Sequence, residues 1–176
     1  MERNGVNMLA SIEWPEKYLP GTTDNFCSNE IIVRDLPIMG AWDALIHPLI
    51  WPEYYSNSSD VVLPEGTPDN ALYMGLKFKF KTFGFPIDAE IIELVKPGEG
   101  RVGRLSWHGW AEGDADHRLD VVHAWLLETL TDNRTRILTQ ESQIGKPAKE
   151  LAKQVPNPMI NGHQAWLEGI VKYVRG

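Results

Sequence analysis

The chain has a single cysteine, Cys27, in 176 residues. No internal disulfide can form, and the count fits a reducing compartment. The ordinary expectation for Cys27 is a small buried apolar side chain. No run reaches the ~20 apolar residues that a membrane-spanning helix needs. Asn7 and Glu13 interrupt any apolar region near the start that could act as a secretory signal. A cytoplasmic protein without membrane insertion is expected. Positive charge is in short supply, with 17 Lys and Arg against 24 Asp and Glu, a net charge of -7. Nucleic acid demands a basic patch, so no nucleic-acid partner is expected. Internal repeats and low-complexity tracts are absent too.

Motifs are as scarce as cysteine. No G-x-S-x-G elbow occurs, and no partner motif surrounds Cys27, so nucleophilic catalysis has no support. Two histidines with one Glu could hold Zn²⁺ in principle, but no H-x-x-x-H or C-x-x-C spacing occurs, so no metal site and no cofactor are expected. Gly98, Gly100 and Gly103 do satisfy G-x-G-x-x-G. A dinucleotide site needs a helix to follow, whose N-terminus holds the pyrophosphate, and Arg101 to Trp110 has the pattern of a strand. The stretch Glu112 to His117 is acidic, but its spacing fails the EF-hand pattern and it is expected to be a solvated turn.

What is present is aromatic and periodic. Seven tryptophans and 43% apolar residues provide ample material for a core or a lined cavity. Near the C-terminus Asn157 is a good N-cap and Pro158 suits the first helical position. Met159, Ile160, His163, Trp166, Leu167, Ile170, Val171 and Val174 then recur at three- and four-residue steps, one broad apolar stripe on a helix. Gly162 and Gly169 should weaken that helix by roughly 1 kcal/mol each relative to Ala.

Upstream, strands alternate. Leu76, Phe78 and Phe80 share one face while Lys77, Lys79 and Lys81 share the other. A hairpin through Gly84 and Pro86 sets Asp88 and Glu90 across from those lysines, as a solvated outer face. Leu105 and Trp107 share a face on the next strand. Leu119, Val121, His123, Trp125 and Leu127 share one on the strand after it, and Thr135, Ile137, Thr139 and Glu141 on the last. Pro37 opens a short helix through Leu45, and a second runs from about Leu49 to Tyr55. Residues 1–25 have no clean period and form an extended arm. Trp14, Tyr18 and Leu19 suggest that it packs on the body, with a lid over a cavity as the alternative. Residues 26–176 form a single domain. The count is one strand, two short helices, six strands and a helix, and the short links make the sheet antiparallel.

Four stretches resemble the START/SRPBCC superfamily, whose members include birch-pollen-allergen-like, polyketide cyclase/dehydrase-like and Hsp90-ATPase-activator-like proteins. They are Pro37 to Tyr55 with its Trp51-Pro52-Glu53-Tyr54 ending, Arg104-Leu105-Ser106-Trp107, Thr135 to Glu141, and Gly162 to Leu167. The order of these stretches matters more than any one of them. The resemblance implies an α+β helix-grip fold: a seven-stranded antiparallel sheet wrapped around the C-terminal helix, with two short helices after the first strand. It also implies a cavity between sheet and helix that takes a small hydrophobic molecule such as a lipid, sterol or polyketide. Asn133 departs from the pattern, standing where a Gly-Gly turn is usual, and the arm is long. The resemblance carries no invariant catalytic set.

The expected cavity lining is Trp42, Trp51, Tyr73, Phe78, Phe80 and Trp107 on one side. His123, Trp125, Thr139, Glu141, Met159, His163 and Trp166 complete it. His123 and Glu141 are the candidate catalytic pair, because a buried carboxylate beside an imidazole can act as general acid and base. Three readings stand open: a hydrophobic-ligand binder, a cyclase or dehydratase using His123 and Glu141, and a protein-interaction domain. The oligomeric state is open, a homodimer included.

Overall fold

A computed structural model describes residues 8–176. Its strands are β1 (Asn25–Arg34), β2 (Ser58–Val62), β3 (Lys77–Thr82), β4 (Phe85–Val95), β5 (Gly103–Ala111), β6 (Leu119–Leu130) and β7 (Arg134–Ile144). The helices are α1 (Ile38–Ile46), α2 (Trp51–Tyr54), α3 (Lys146–Lys153) and α4 (Pro158–Arg175). The sheet has seven strands in the order β1-β7-β6-β5-β4-β3-β2, antiparallel at every pairing. β1 leaves the meander, and α1 and α2 carry the chain across to the far edge. This is the α+β helix-grip arrangement, with α4 lying against the concave face.

Local chemistry explains the frame. The Asn157 side chain caps α4 by accepting from the Met159 N–H at 3.0 Å. The β3–β4 hairpin pairs Lys77 with Glu90 and Lys79 with Asp88. Asp132 and Asn133 both hold positive φ in the β6–β7 turn. Asn tolerates that conformation, so the missing Gly-Gly is not needed there. The two glycines of α4 are explained by close approach. A Cβ on Gly169 would stand 2.2 Å from the Tyr54 carbonyl oxygen, and one on Gly162 would stand 2.1 Å from the Phe83 ring. The cost in helix propensity is offset by letting the helix sit down on α2 and on the β3–β4 turn.

Between sheet and α4 the interior is filled with rings. Trp51, Trp107, Trp125 and Trp166 are each at most 1% exposed. Trp166 stacks on Tyr55 with centroids 4.3 Å apart and meets Trp51 and Trp125 edge-on at 5.2 and 5.0 Å. Ile160, expected on the apolar stripe, is 44% exposed because α4 turns it away from the sheet.

The convex face is not uniformly solvated. At β3 and β4 it is charged, as the alternation indicates. Across β5, β6 and β7 it is covered by residues 8–24. Tyr18 and Lys17 both bond Asp120. The Arg136 guanidinium donates to the Ala10 carbonyl, and Arg104 donates to that of Ser11. Tyr18 is buried, Trp14 half-buried, and Leu19 exposed. No residue among 8–24 lines the interior pocket described below. Residues 8–24 thus pack on the convex face, on the side away from the pocket; residues 1–7 lie outside the described residues. No helix among the described residues is long and apolar enough to cross a membrane.

Candidate functional site

The inward parities of β6 and β7 converge with α4. His123 pairs across the ladder with Glu141, which pairs on its other side with Cys27 of β1. α4 lays His163 over the three. Glu141 Oε2 stands 3.0 Å from His123 Nδ1 and 3.3 Å from His163 Nε2. The outer atoms are held as well. Gln143 Nε2 donates to Glu141 Oε1 at 2.5 Å. His123 Nε2 meets Thr139 Oγ1 at 2.7 Å, and His163 Nδ1 meets Cys27 Sγ at 3.2 Å. The two imidazoles stack with centroids 4.5 Å apart. The network runs on to the helix cap: Asn25 donates to Gln143, and Asn157 donates to Asn25.

Burial and charge fix the protonation pattern. Burial alone would raise Glu141, but the two facing imidazoles outweigh it and hold the carboxyl well below its usual range. Burial pushes His123 down to about 4, against the pull of Glu141. Burial would also lower His163; Cys27 and Glu141, one at each ring nitrogen, outweigh it and hold the imidazole up at about 10. Near neutral pH the cluster therefore holds a carboxylate, an imidazolium and a neutral imidazole, with no net charge. That is the cheap way to keep ions out of water.

Beside this cluster lies a pocket. Its walls are apolar apart from Thr82, formed by Phe80, Phe83, Phe85, Ile87, Leu119 and Val121 from the sheet with Leu151 and Met159 from α3 and α4. Its floor is His123, Glu141, Gln143 and His163. It encloses about 450 Å³ of space including its open mouth, of which about 20 Å³ admits the centre of a water molecule. With the side chains as they stand, that is room for about one water.

Of the expected lining, Phe80, Trp107, His123, Glu141, Met159, His163 and Trp166 do line the pocket. Thr139 sits behind His123 instead. Trp42, Trp51, Phe78 and Trp125 are buried in the packed core next to it. Tyr73 is a correction: it is 45% exposed, because a turn at Met74 and Gly75 ends the alternation and β3 begins only at Lys77. The sequence reading missed Phe83, Gln143 and the contact of Cys27 with His163. Gln143 continues the inward parity of Thr139 and Glu141 by one step, a signal that was there to follow. The other two depend on packing between distant elements. It also expected no metal ligands from spacing, yet His123, Glu141 and His163 each offer one ligand atom, all within 4.8 Å of one another.

The fold and the inward-facing site define a helix-grip protein, the fold also found in a norcoclaurine synthase and in Ara h 8.0201. The chain belongs to one family with the hypothetical protein jhp0584 from Helicobacter pylori. The two are 46% identical over 95% of this chain and 98% of that one, with a TM-score of 0.90. More distant structures share the fold alone. A norcoclaurine synthase point mutant from Thalictrum, in complex with a transition state analogue, is 16% identical over 85% of this chain and 93% of its own, with a TM-score of 0.55. Ara h 8.0201 is 14% identical over 85% and 98%, with a TM-score of 0.54. No protein-family model matches the chain, and no curated protein matches it.

Proposed function

We propose that the chain binds a small, mostly apolar molecule whose polar end meets Glu141, His123 and His163. The observation that carries this is the composition of the pocket: mostly apolar walls and a cluster of polar groups at the floor, the usual division between affinity and orientation in a ligand site. The fold adds support, since a norcoclaurine synthase of the same fold has been seen with a transition state analogue. The size argues for a ring-sized ligand over a sterol or a long-chain lipid. Four tryptophans occupy the volume such a lipid would need, whereas a ring would require only Phe83 at the hairpin turn and Met159 at the start of α4 to shift.

The binding reading is favoured over the cyclase or dehydratase reading. His123 and Glu141 do share a face and touch, as catalysis would require. Neither is poised near neutral pH, however, and a general acid or base works best when it is. The interaction-domain reading has less behind it, because the exposed large apolar side chains come from many separate elements.

Titration of chelator-treated protein with 8-anilinonaphthalene-1-sulfonate tests the proposal. Saturable binding at one site is expected, with displacement by small aromatic acids or phenols. Leu151→Trp, which fills the mouth from a half-buried position on α3, should abolish it while the melting temperature holds. Equal binding by both proteins would place the probe elsewhere and sink the reading.

A further inference from the structure

We propose that His123, Glu141 and His163 form a binding site for one divalent first-row transition ion, Zn²⁺ or Fe²⁺ in character, at the floor of the pocket. The inference goes beyond ligand binding and does not depend on it.

Among the described residues, one atom of each of the three side chains is left without a partner outside the cluster. His123 Nε2 is engaged by Thr139, His163 Nδ1 by Cys27, and one Glu141 oxygen by Gln143. The three atoms left over are His123 Nδ1, His163 Nε2 and Glu141 Oε2, and these three face one another. Each ligating group is thus gripped from behind, the arrangement by which proteins fix the tautomer and aim of metal ligands. Distances agree. With metal–ligand bonds of about 2.0–2.2 Å, neighbouring ligand atoms stand about 3.0 Å apart in octahedral geometry and about 3.4 Å apart in tetrahedral geometry. The carboxylate oxygen lies 3.0 and 3.3 Å from the two imidazole nitrogens. The third edge, between the nitrogens, is no longer than 4.8 Å and closes when the stacked rings splay toward the ion.

The donor set suits the ion. Two imidazoles and one carboxylate leave coordination positions open, and the chemistry is too nitrogen-rich for Ca²⁺ or Mg²⁺. The open positions face the apolar pocket, where a small ligand's oxygen or nitrogen could complete the shell. Cys27 is a positioning residue here, since its sulfur lies behind His163 and not on the side of the ion.

The test uses the full chain after chelator treatment. Co²⁺ is added while visible absorption is recorded, and Zn²⁺ is then used to displace it. One equivalent per chain is expected, with the intense bands of a low-coordinate cobalt site and loss of those bands on adding zinc. Glu141→Gln and His163→Gln should abolish binding. Thr139→Val and Cys27→Ser should retain it but weaken it by about 10–100-fold, as removal of a rear support does. Binding that survives in Glu141→Gln would belong to a surface group such as the exposed Asp114–His117 pair, and would overturn the proposal. So would the absence of binding to wild type. Should the variants fail to fold, zinc-soaked wild-type crystals decide alone. Anomalous density between the three free atoms supports the site, and its absence removes it.

Discussion

Each face of the sheet draws charged groups away from water, and the two do so differently. On the convex face the Arg136 guanidinium bonds Glu30 and Glu128, whose side chains keep 38% and 16% exposure. Its further partner is the Ala10 carbonyl. This cluster ties the arm to β7 and β6, at the edge of solvent. On the concave face Glu141 bonds His123 and His163, whose side chains are 3% and 1% exposed. Water screens the first cluster, whereas the second meets it only through a narrow pocket. The lesson is that an ion pair's job depends on what surrounds it: one fastens a segment, and the other maintains a preset pattern of charge beside a pocket.

The largest effect should come from the rings that seal the inner cluster. Trp166→Ala, or Trp125→Ala, should destabilise by about 3–5 kcal/mol in urea melts. A cost below about 1 kcal/mol would mean the interior is loose, and the contrast between the faces would weaken. Next comes a direct comparison of carboxylates. Glu141→Gln leaves the His163 imidazolium buried without its counter-ion and should cost about 3 kcal/mol. Glu128→Gln leaves Arg136 with Glu30 and the Ala10 carbonyl and should cost about 1 kcal/mol. Equal losses would erase the distinction.

A gentler probe is pH. The unfolded histidines titrate near 6.5, while folded His123 sits at about 4 and folded His163 at about 10. Between pH 6.5 and 4 the unfolded chain binds the proton that His123 refuses, so stability falls as pH falls. Between 6.5 and 10 the folded chain keeps the proton on His163 that the unfolded chain has lost, so stability falls as pH rises. A maximum near pH 6.5 is expected in denaturant midpoints, with each limb no steeper than about 1.4 kcal/mol per pH unit. Cys27→Ala should flatten the alkaline limb, whereas Glu128→Gln should leave both limbs in place. The smallest effect belongs to one of the two glycines of α4. Gly169→Ala meets a backbone oxygen and should cost about 1–3 kcal/mol despite the better helix former. Gly162→Ala meets side chains alone, the Phe83 ring and the Asn57 amide, which side-chain rotation should accommodate. Its melt should be close to wild type while 8-anilinonaphthalene-1-sulfonate binds differently at the widened mouth.

Much of this was legible from alternation and order. The parities of β6 and β7 put His123 and Glu141 on one face, and the helical stripe put His163 opposite them. These are local periods, and local periods survive in sequence. The Cys27–Glu141 ladder pairing joins strands at the two ends of the domain, and no local pattern records it. Neither does volume. The same tryptophans could line an empty cavity or fill it, and only packing shows that Trp51 and Trp125 fill it. The covering of Arg136 was hidden for a related reason: an outward parity says which face a side chain takes, not what later lies on that face. Tyr73 was misplaced because alternation was extended through a turn.

The ring packing has one more consequence. His123 lies between Trp107 and Trp125, with centroids 4.7 and 5.2 Å away, and Trp166 is 5.6 Å off. Protonated imidazole quenches indole emission, and a bound Co²⁺ would drain it by energy transfer. The molecule thus carries a built-in optical reporter at its own floor. Intrinsic fluorescence alone, with no label attached, is expected to register a proton arriving there and to test for the proposed ion and ligand.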